Sequence, residues 1–505
     1  MTKRNPRLGA MSHWCSGNPM EGLMVGKGFW SKLGVSVSLG ALPLWGSISA
    51  AERPAAPGVI SNPARLPTRV SEPPMGAGKA HLADADLPSN YIEKEYLVSG
   101  LANIYGHDAA GRLVVEKADQ PYTTRILIRR PRDRAKYSGV VIFDLLHPEA
   151  GVSTLWPSLR DYIIRSGDAY VQLTTRREAR NPVLTGTPGA IDRLKQEDPV
   201  RYGPIDFRDG GLTWDIISQV GRLIKTSSSE NPMRAFRPHS TLAGGFSGSG
   251  ALTLFYINEG FADGARMPGG RPIFDGYFVG EPSWYPRVNS TVPASLDIDD
   301  FDPRQRVKPR DVPAISLYSM LFVSPFGMGR VRPDSDAPDD RYRLYIVSGA
   351  SHMARRQMEG EFSSLAPKCD YPANTLPLGH YFALTFEYLK LWSKGKGPPP
   401  HAPRLELDAA GAVLDANGNP TGGIRSTALD VPIARYFKGS PGFLCELMGA
   451  QERYSPEKLR QIYGSEATYV ARVTDRAHQL VNEGWLLPQS ADEVIHEAKS
   501  VKFDD

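Results

Sequence analysis

Residues Gly244–Gly250 read GGFSGSG, two serines two residues apart in a run of glycines. A β-prone run, STLAGG, leads into them and an apolar helical run, GALTLFYINEG, leads out. The stretch therefore spans a change from strand to helix. A strand-to-helix turn that presents a nucleophile is so tight that the residues two before and two after the serine must be small. Around Ser247 those are Gly245 and Ser249; around Ser249 they are Ser247 and Ala251. Steric tolerance does not choose between the serines, but position does. The incoming strand ends just before Gly245, and Ser249 already falls in the first turn of the helix. Ser247 is the expected nucleophile, and Gly248 beside it would offer its backbone N–H at the helix N-terminus to a developing oxyanion.

The same alternation extends outward on both sides. SGVVIFDLL, residues 138–146, is a nearly continuous apolar run, as a strand buried on both faces reads. LWPSLRDYIIRSG follows as a helix and AYVQLTTR as a second buried strand. In GLTWDIISQVGRLIK, residues Leu212, Ile216, Ile217, Val220 and Leu223 fall on one helical face. After the serines, IFDGYFVG, PAISLYS and YRLYIVSG read as strands and GHYFALTFEYLKLWSKG as a helix. Strands alternating with helices predict an α/β fold with a mainly parallel sheet. Upstream, YIEKEYLVSG and TTRILIRRP are short β-rich runs. Downstream, two helical stretches begin with Ser455 and Ser490 as expected N-caps, the first interrupted near Gly464.

Composition sets the class. The chain has 505 residues, 41% hydrophobic and 23% charged, an ordinary globular balance. Residues 1–51 read as a secretory signal: Lys27 and Lys32 precede the apolar run LGVSVSLGALPLWGSISA, and Ser49 and Ala51 are small residues placed for cleavage after Ala51. Met20 and Met24 are alternative starts. Without that segment the chain carries 54 basic and 54 acidic residues. Such a neutral surface leaves no basic stripe for nucleic acid, and cleavage would leave no membrane segment. Cys369 and Cys445 would remain as an even pair in an oxidising compartment, so a disulfide between them is expected, as is a periplasmic or secreted location. No metal-ligand spacing and no nucleotide-binding glycine motif after the first strand is present, so no cofactor is implied. The expected organisation is a Pro-rich extended arm over 52–88, a catalytic domain over 89–440 and a C-terminal helical extension over 441–505.

The base is expected after the last core strand. RYRLYIVSGASH ends its alternation at Gly349, and His352 follows in a loop. His147, before the serine, stands where a second oxyanion donor is expected, as a backbone contribution near Leu146 and His147. His380, inside a helix, reads as structural.

Taken together, GFSGSG, IFDGYFVG, RPDSDAPDDRYRLYIVSGASH, GGIRSTALDVPIARY and YSPEKLRQIYGSEATYVARVTDRAHQLVNEGWLLPQSADEVIHEA resemble the bacterial alpha/beta hydrolase domain family whose serine turn reads G-x-S-Q-S-G, from about Tyr91 to about Lys499. The resemblance implies an α/β-hydrolase core and hydrolysis of a small-molecule carboxylic ester by Ser247 and His352, and leaves the substrate open. The chain departs from the family in one place. After PAISLYS an acidic residue is usual, and this chain has Met320 there. Glu281, just after IFDGYFVG, is the first candidate for the missing acid and Asp334 the second; Asp275 reads as a packing residue. Met320 also keeps open a binding protein that has lost turnover, and an amidase would use the same triad. The loops Pro286–Pro313 and Phe322–Asp340 are expected to cap the site, with Trp284, Tyr285 and Phe326 making it apolar.

Overall fold

In the computed structural model the apolar runs become the strands of a single large sheet. Residues 65–504 are described, apart from 77, 150, 176–188, 292–301, 321–326, 354–367, 410 and 440. The expected signal segment, Phe326 and parts of both expected cap loops lie outside the described residues. Ten strands run β1 (Arg69–Ser71), β2 (Tyr91–His107), β3 (Leu113–Pro131), β4 (Val140–Leu145), β5 (Ala169–Leu173), β6 (Ser240–Phe246), β7 (Gly276–Gly280), β8 (Ala314–Tyr318), β9 (Ser335–Ala337) and β10 (Asp340–Ile346). Their spatial order is β1-β2-β3-β5-β4-β6-β7-β8-β10-β9. The block from β5 to β10 is parallel throughout, with β9 added antiparallel at one edge and β1, β2 and β3 antiparallel at the other.

The two-residue period of a strand explains how both faces are filled. Val141, Phe143 and Leu145 of β4 join a core that includes Ile216, Ile217 and Val220 of α2 (Thr213–Lys225) and Leu252 and Phe255 of α3 (Gly248–Asn258). Val140 and Ile142 join the opposite core, with Leu159 and Ile163 of α1 (Trp156–Ser166) and Phe382, Phe386 and Leu389 of α4 (Leu378–Ser393). Each such side chain contributes roughly 1.5–3 kcal/mol over exposure. Register is therefore firm, because a one-residue slip would exchange the two faces. All residues of α3 are buried, so its sequence is apolar all round, unlike the one-sided α2.

Three sequence expectations shift. β2 and β3 are not short: they span 17 and 19 residues as one long hairpin, with irregular register near Ala102 and Ile104. The far half of β3 exposes Glu116 to Ala118 and so lacks the apolar run that marks a strand in sequence. Asp275 lies before β7 rather than inside it, where it accepts Lys225 Nζ and Thr241 N–H, both at 2.7 Å, as a packing residue would. Ser490 is not an N-cap, since Pro488 takes the first position of its helix and Ser490 is buried two residues on.

After α4 the chain builds a small hairpin (Ala434–Phe437 with Ala450–Arg453) and three helices, α5 (Pro456–Tyr463), α6 (Glu466–Asn482) and α7 (Pro488–Lys499). Ser455 accepts Lys458 N–H at 3.3 Å and caps α5; Gly464, at φ 72°, ends it. Docking onto the core uses Tyr388, whose hydroxyl donates to the Gly484 carbonyl, and Glu493, paired with Arg165 at 2.9 Å and His380 at 3.2 Å. His380 is thus a structural contact between α4 and α7.

Candidate functional site

β6 ends at Phe246 and α3 begins at Gly248, so Ser247 alone makes the turn, at φ 62° and ψ −127°. A non-glycine residue held there is strained, and only a surrounding structure that over-determines the turn keeps it. Ser247 N–H donates to Gly280 O at 2.9 Å, and Ser247 O accepts Ala251 N–H at 2.9 Å. Around the turn there is no room. A Cβ on Gly245 would lie 2.2 Å from Ser249 Cβ, and one on Gly250 would lie 2.0 Å from Gly280 O. The second serine is therefore one of the small residues that permit the turn. Its Oγ is fully buried and has no hydrogen-bond partner among the described residues, whereas Ser247 is partly exposed.

Glu281 follows β7 directly, at φ 36° and with no exposed surface. Its Oε2 accepts Ser319 N–H and its Oε1 accepts Ser319 Oγ–H, both at 2.9 Å. His352 Nδ1 lies 3.1 Å from Glu281 Oε1. The His352 ring stands 4.8 Å from the ring of Phe246, the residue before Ser247. A buried carboxylate is tolerable only when its lone pairs are met by donors, and here they are. Ser319, at the end of β8, was not singled out from the sequence, because one serine closing a buried strand carries no pattern. Asp334 is not brought to the site: it accepts Leu344 N–H at 2.8 Å and pairs with His401 at 2.9 Å and Arg404 at 2.8 Å. Met320 packs on the core, and its N–H donates to Ala350 O at 2.9 Å.

On the other side of Ser247, the loop after β4 brings His147 to Gly248. The expected backbone contribution meets amides already in use: Leu146 N–H donates to Leu173 O and His147 N–H to Val152 O, both at 2.9 Å. It is the side chain that approaches, with Gly248 N–H directed at His147 Nε2 at 3.3 Å. A Cβ on Gly248 would lie 2.8 Å from that nitrogen, so a side chain at 248 would displace the imidazole. Burial, and after it the charge of His352, push His147 down to about 4, so it is neutral at pH 7.

Beneath this loop Asp144, fully buried at the end of β4, accepts Ser153 Oγ–H at 2.8 Å and the Tyr170 hydroxyl; Ser153 Oγ in turn accepts Trp156 N–H at 2.9 Å and starts α1. Burial raises Asp144 from an ordinary 3.8 to about 7. Between those values the folded chain holds a proton that the unfolded chain has released, so stability falls as pH rises through the window and levels off above it. The cost above pH 7 is on the order of 4 kcal/mol. Unfolding in urea at pH 4, 6 and 8 is expected to find Asp144→Asn increasingly more stable than the parent as pH rises, with no gain at pH 4.

Cys369 and Cys445 form a disulfide with Cα atoms 5.8 Å apart. Cys445 shares a small apolar cluster with Met353, the neighbour of His352, and Met353 N–H donates to Leu447 O at 3.0 Å. Asn374 Nδ2 also donates to Gly349 O at 2.6 Å. The bridge thus ties the C-terminal segment under the histidine loop. Closing a loop of 76 residues, it contributes up to roughly 4 kcal/mol. The Cys369→Ser/Cys445→Ser double variant is expected to show a lower thermal midpoint and faster amide exchange in peptides covering 347–353.

The expected aromatic lining is only partly there. Tyr285 turns into the core, where its hydroxyl donates to Glu259, and Trp284 is half-buried against the same core. Among the described residues no cluster of three or more His, Cys, Asp or Glu gathers to hold a metal ion, and no helix is long and apolar enough to cross a membrane.

Ser247, Glu281, Ser319 and His352 follow the carboxyl ends of β6, β7, β8 and β10, neighbours in that order, and His147 follows β4 on the other side. Ligands of open parallel sheets bind at those ends. Sheet order, flanking helices and the strained serine turn together define an α/β-hydrolase fold. Residues 60–496 match the alpha/beta hydrolase domain family, and the chain belongs to it. No curated protein matches the chain. Among solved structures, it is similar to a fungal esterase from Rhizomucor miehei, at 12% identity over 62% of this chain and 87% of that one, with a TM-score of 0.32. It is also similar to a thermophilic esterase from the planctomycete Thermogutta terrifontis, at 12% identity over 56% and 93%, with a TM-score of 0.31. Overlaps that loose carry no argument about substrate.

Proposed function

We propose that the protein is an exported serine hydrolase that cleaves carboxylic esters through an acyl-enzyme. The observation that carries this reading is the 3.1 Å approach of Glu281 Oε1 to His352 Nδ1, next to the strained turn of Ser247. With Nδ1–H held by the carboxylate, the basic lone pair of His352 is on Nε2. Ser247 Oγ attacks the ester carbonyl, and His352 Nε2 takes its proton and returns it to the leaving alcohol. Water then repeats the sequence on the acyl-enzyme. Glu281 fixes the tautomer and stabilises the imidazolium, and Gly248 N–H faces the oxyanion. The disulfide and the signal-like residues 1–51 support a periplasmic or secreted location.

The test is hydrolysis of p-nitrophenyl esters by the mature protein, followed from the first milliseconds, with fluorophosphonate labelling in parallel. A burst of p-nitrophenol and a label on the peptide containing Ser247 are expected. Absence of both sinks the reading.

A further inference from the structure

We propose that the imidazole of His147, as its Nε2–H tautomer, is the second oxyanion donor of this site; the assignment rests on the ester-hydrolase reading above. One amide cannot account for the usual pair of donors, and the described amides nearest the site in the loop after β4 are already in use. Leu146 and His147 N–H donate to Leu173 O and Val152 O, and Gly151 N–H donates back to His147 O, each at 2.9 Å. Pro148 has no N–H.

The side chain is placed for the task. Two backbone amides point at the ring: Glu149 N–H at Nδ1 and Gly248 N–H at Nε2, both at 3.3 Å. A neutral imidazole has one unprotonated nitrogen, so it accepts from only one of them. When Nδ1 accepts from Glu149, Nε2 carries the hydrogen. It then stands beside Gly248 N–H as a second donor, and the two face each other across the start of α3, one residue from Ser247. At 3.3 Å the two N–H groups repel each other, and a negatively charged oxygen bound to both, to one side of the line joining the nitrogens, relieves that repulsion. That is an arrangement stronger in the transition state than in the ground state, and only such interactions accelerate the chemistry. Burial keeps the ring neutral at working pH, so it donates one hydrogen bond without bringing a positive charge that would oppose the imidazolium His352 forms during attack. His147 is buried, with 8% of the residue exposed, and a donor in a dry site is worth more than one in water.

The experiment compares wild type with His147→Gln and His147→Met, similar in length and differing at the tip in the ability to donate. The readouts are kcat and KM for a p-nitrophenyl ester, and inhibition by a trifluoromethyl ketone, which adds to the serine and places charge in the oxyanion position, against inhibition by the product acid. Loss of one oxyanion donor costs about 100- to 1,000-fold in kcat. The His147→Met variant is expected to lose that factor with KM nearly unchanged, and to bind the ketone more weakly by a similar factor while binding the acid as before. The His147→Gln variant is expected to stay within about tenfold of wild type in kcat and in ketone binding. Equal activity in the two variants, or unchanged ketone inhibition in His147→Met, overturns the assignment while leaving the esterase reading intact. An inert, unlabelled wild type overturns both. Wild type and His147→Gln suffice should His147→Met fail to fold: the Gln variant must then keep ketone binding within about tenfold, and a larger loss counts against the proposal.

Discussion

Ser247→Ala is expected to lower ester turnover by a factor on the order of 10^5 to 10^6, while Ser249→Ala keeps activity within a few-fold of wild type. The difference follows from where the two hydroxyls sit. Ser247 is the single residue between β6 and α3, partly exposed, with its helix N-terminus directed at whatever it attacks. The Ser249 hydroxyl is fully buried inside the first turn. Removing that buried hydroxyl, which has no partner among the described residues, relieves a desolvation penalty of roughly 1–3 kcal/mol. Ser249→Ala is therefore expected to be no less stable than wild type, and a larger side chain there to be excluded by the closeness of Gly245. Ser247→Gly separates strain from chemistry. It accepts φ 62° without penalty, so it should unfold at a higher temperature than wild type while being as inactive as Ser247→Ala. Kinetics and thermal unfolding of the three variants check all of this. Equal losses in Ser247→Ala and Ser249→Ala would mean the turn, and not one hydroxyl, is what matters.

Much of this was legible in the sequence, and for identifiable reasons. VVIFDL could only be a strand covered on both faces, and the Gly-rich junction at 244–250 could only be a tight turn, because both readings depend on residues adjacent in the chain. The position of Glu281 at the end of a core strand was legible through its place after IFDGYFVG. Elsewhere the deciding partner is distant. Ser319 reaches Glu281 because β8 lies beside β7, and nothing local to PAISLYS says so. His147 was found, but not the atoms it offers: whether its backbone or its ring is available depends on Leu173 and Val152, from the neighbouring strand and the far side of its own loop. Tyr285 read as pocket lining because it is aromatic and follows the site strand. It turned inward because Glu259, at the end of α3, accepts its hydroxyl. The long hairpin of β2 and β3 was underread because the outer half of β3 is polar and exposed, and only pairing with β2 makes it β.

Glu281→Gln is expected to lower kcat by about 1,000- to 10,000-fold with little change in KM. The substitution preserves shape and removes one property. Both carboxylate oxygens of Glu281 are acceptors: they meet the amide and hydroxyl of Ser319, and His352 Nδ1 lies 3.1 Å from Oε1. A glutamine has one oxygen and one NH2. If the oxygen stays with His352, the NH2 faces a Ser319 amide that can only donate. If the oxygen turns to Ser319 N–H, the NH2 faces His352 and favours the tautomer with hydrogen on Nε2, which cannot take a proton from Ser247. The imidazolium formed during attack also loses its counter-charge, a transition-state loss that appears in kcat. Ser319→Ala should be milder, about tenfold, since it removes one neutral–charged hydrogen bond of roughly 1.5–3 kcal/mol and leaves the carboxylate on its backbone donor. Asp334→Asn provides the control. Its carboxylate braces Leu344, His401 and Arg404, so that variant should lose stability and keep kcat. The reverse outcome, activity lost in Asp334→Asn and kept in Glu281→Gln, would remove Glu281 from the mechanism. The contact at 3.1 Å would then be packing alone, and the carboxylate that orients His352 would have to come from elsewhere in the chain.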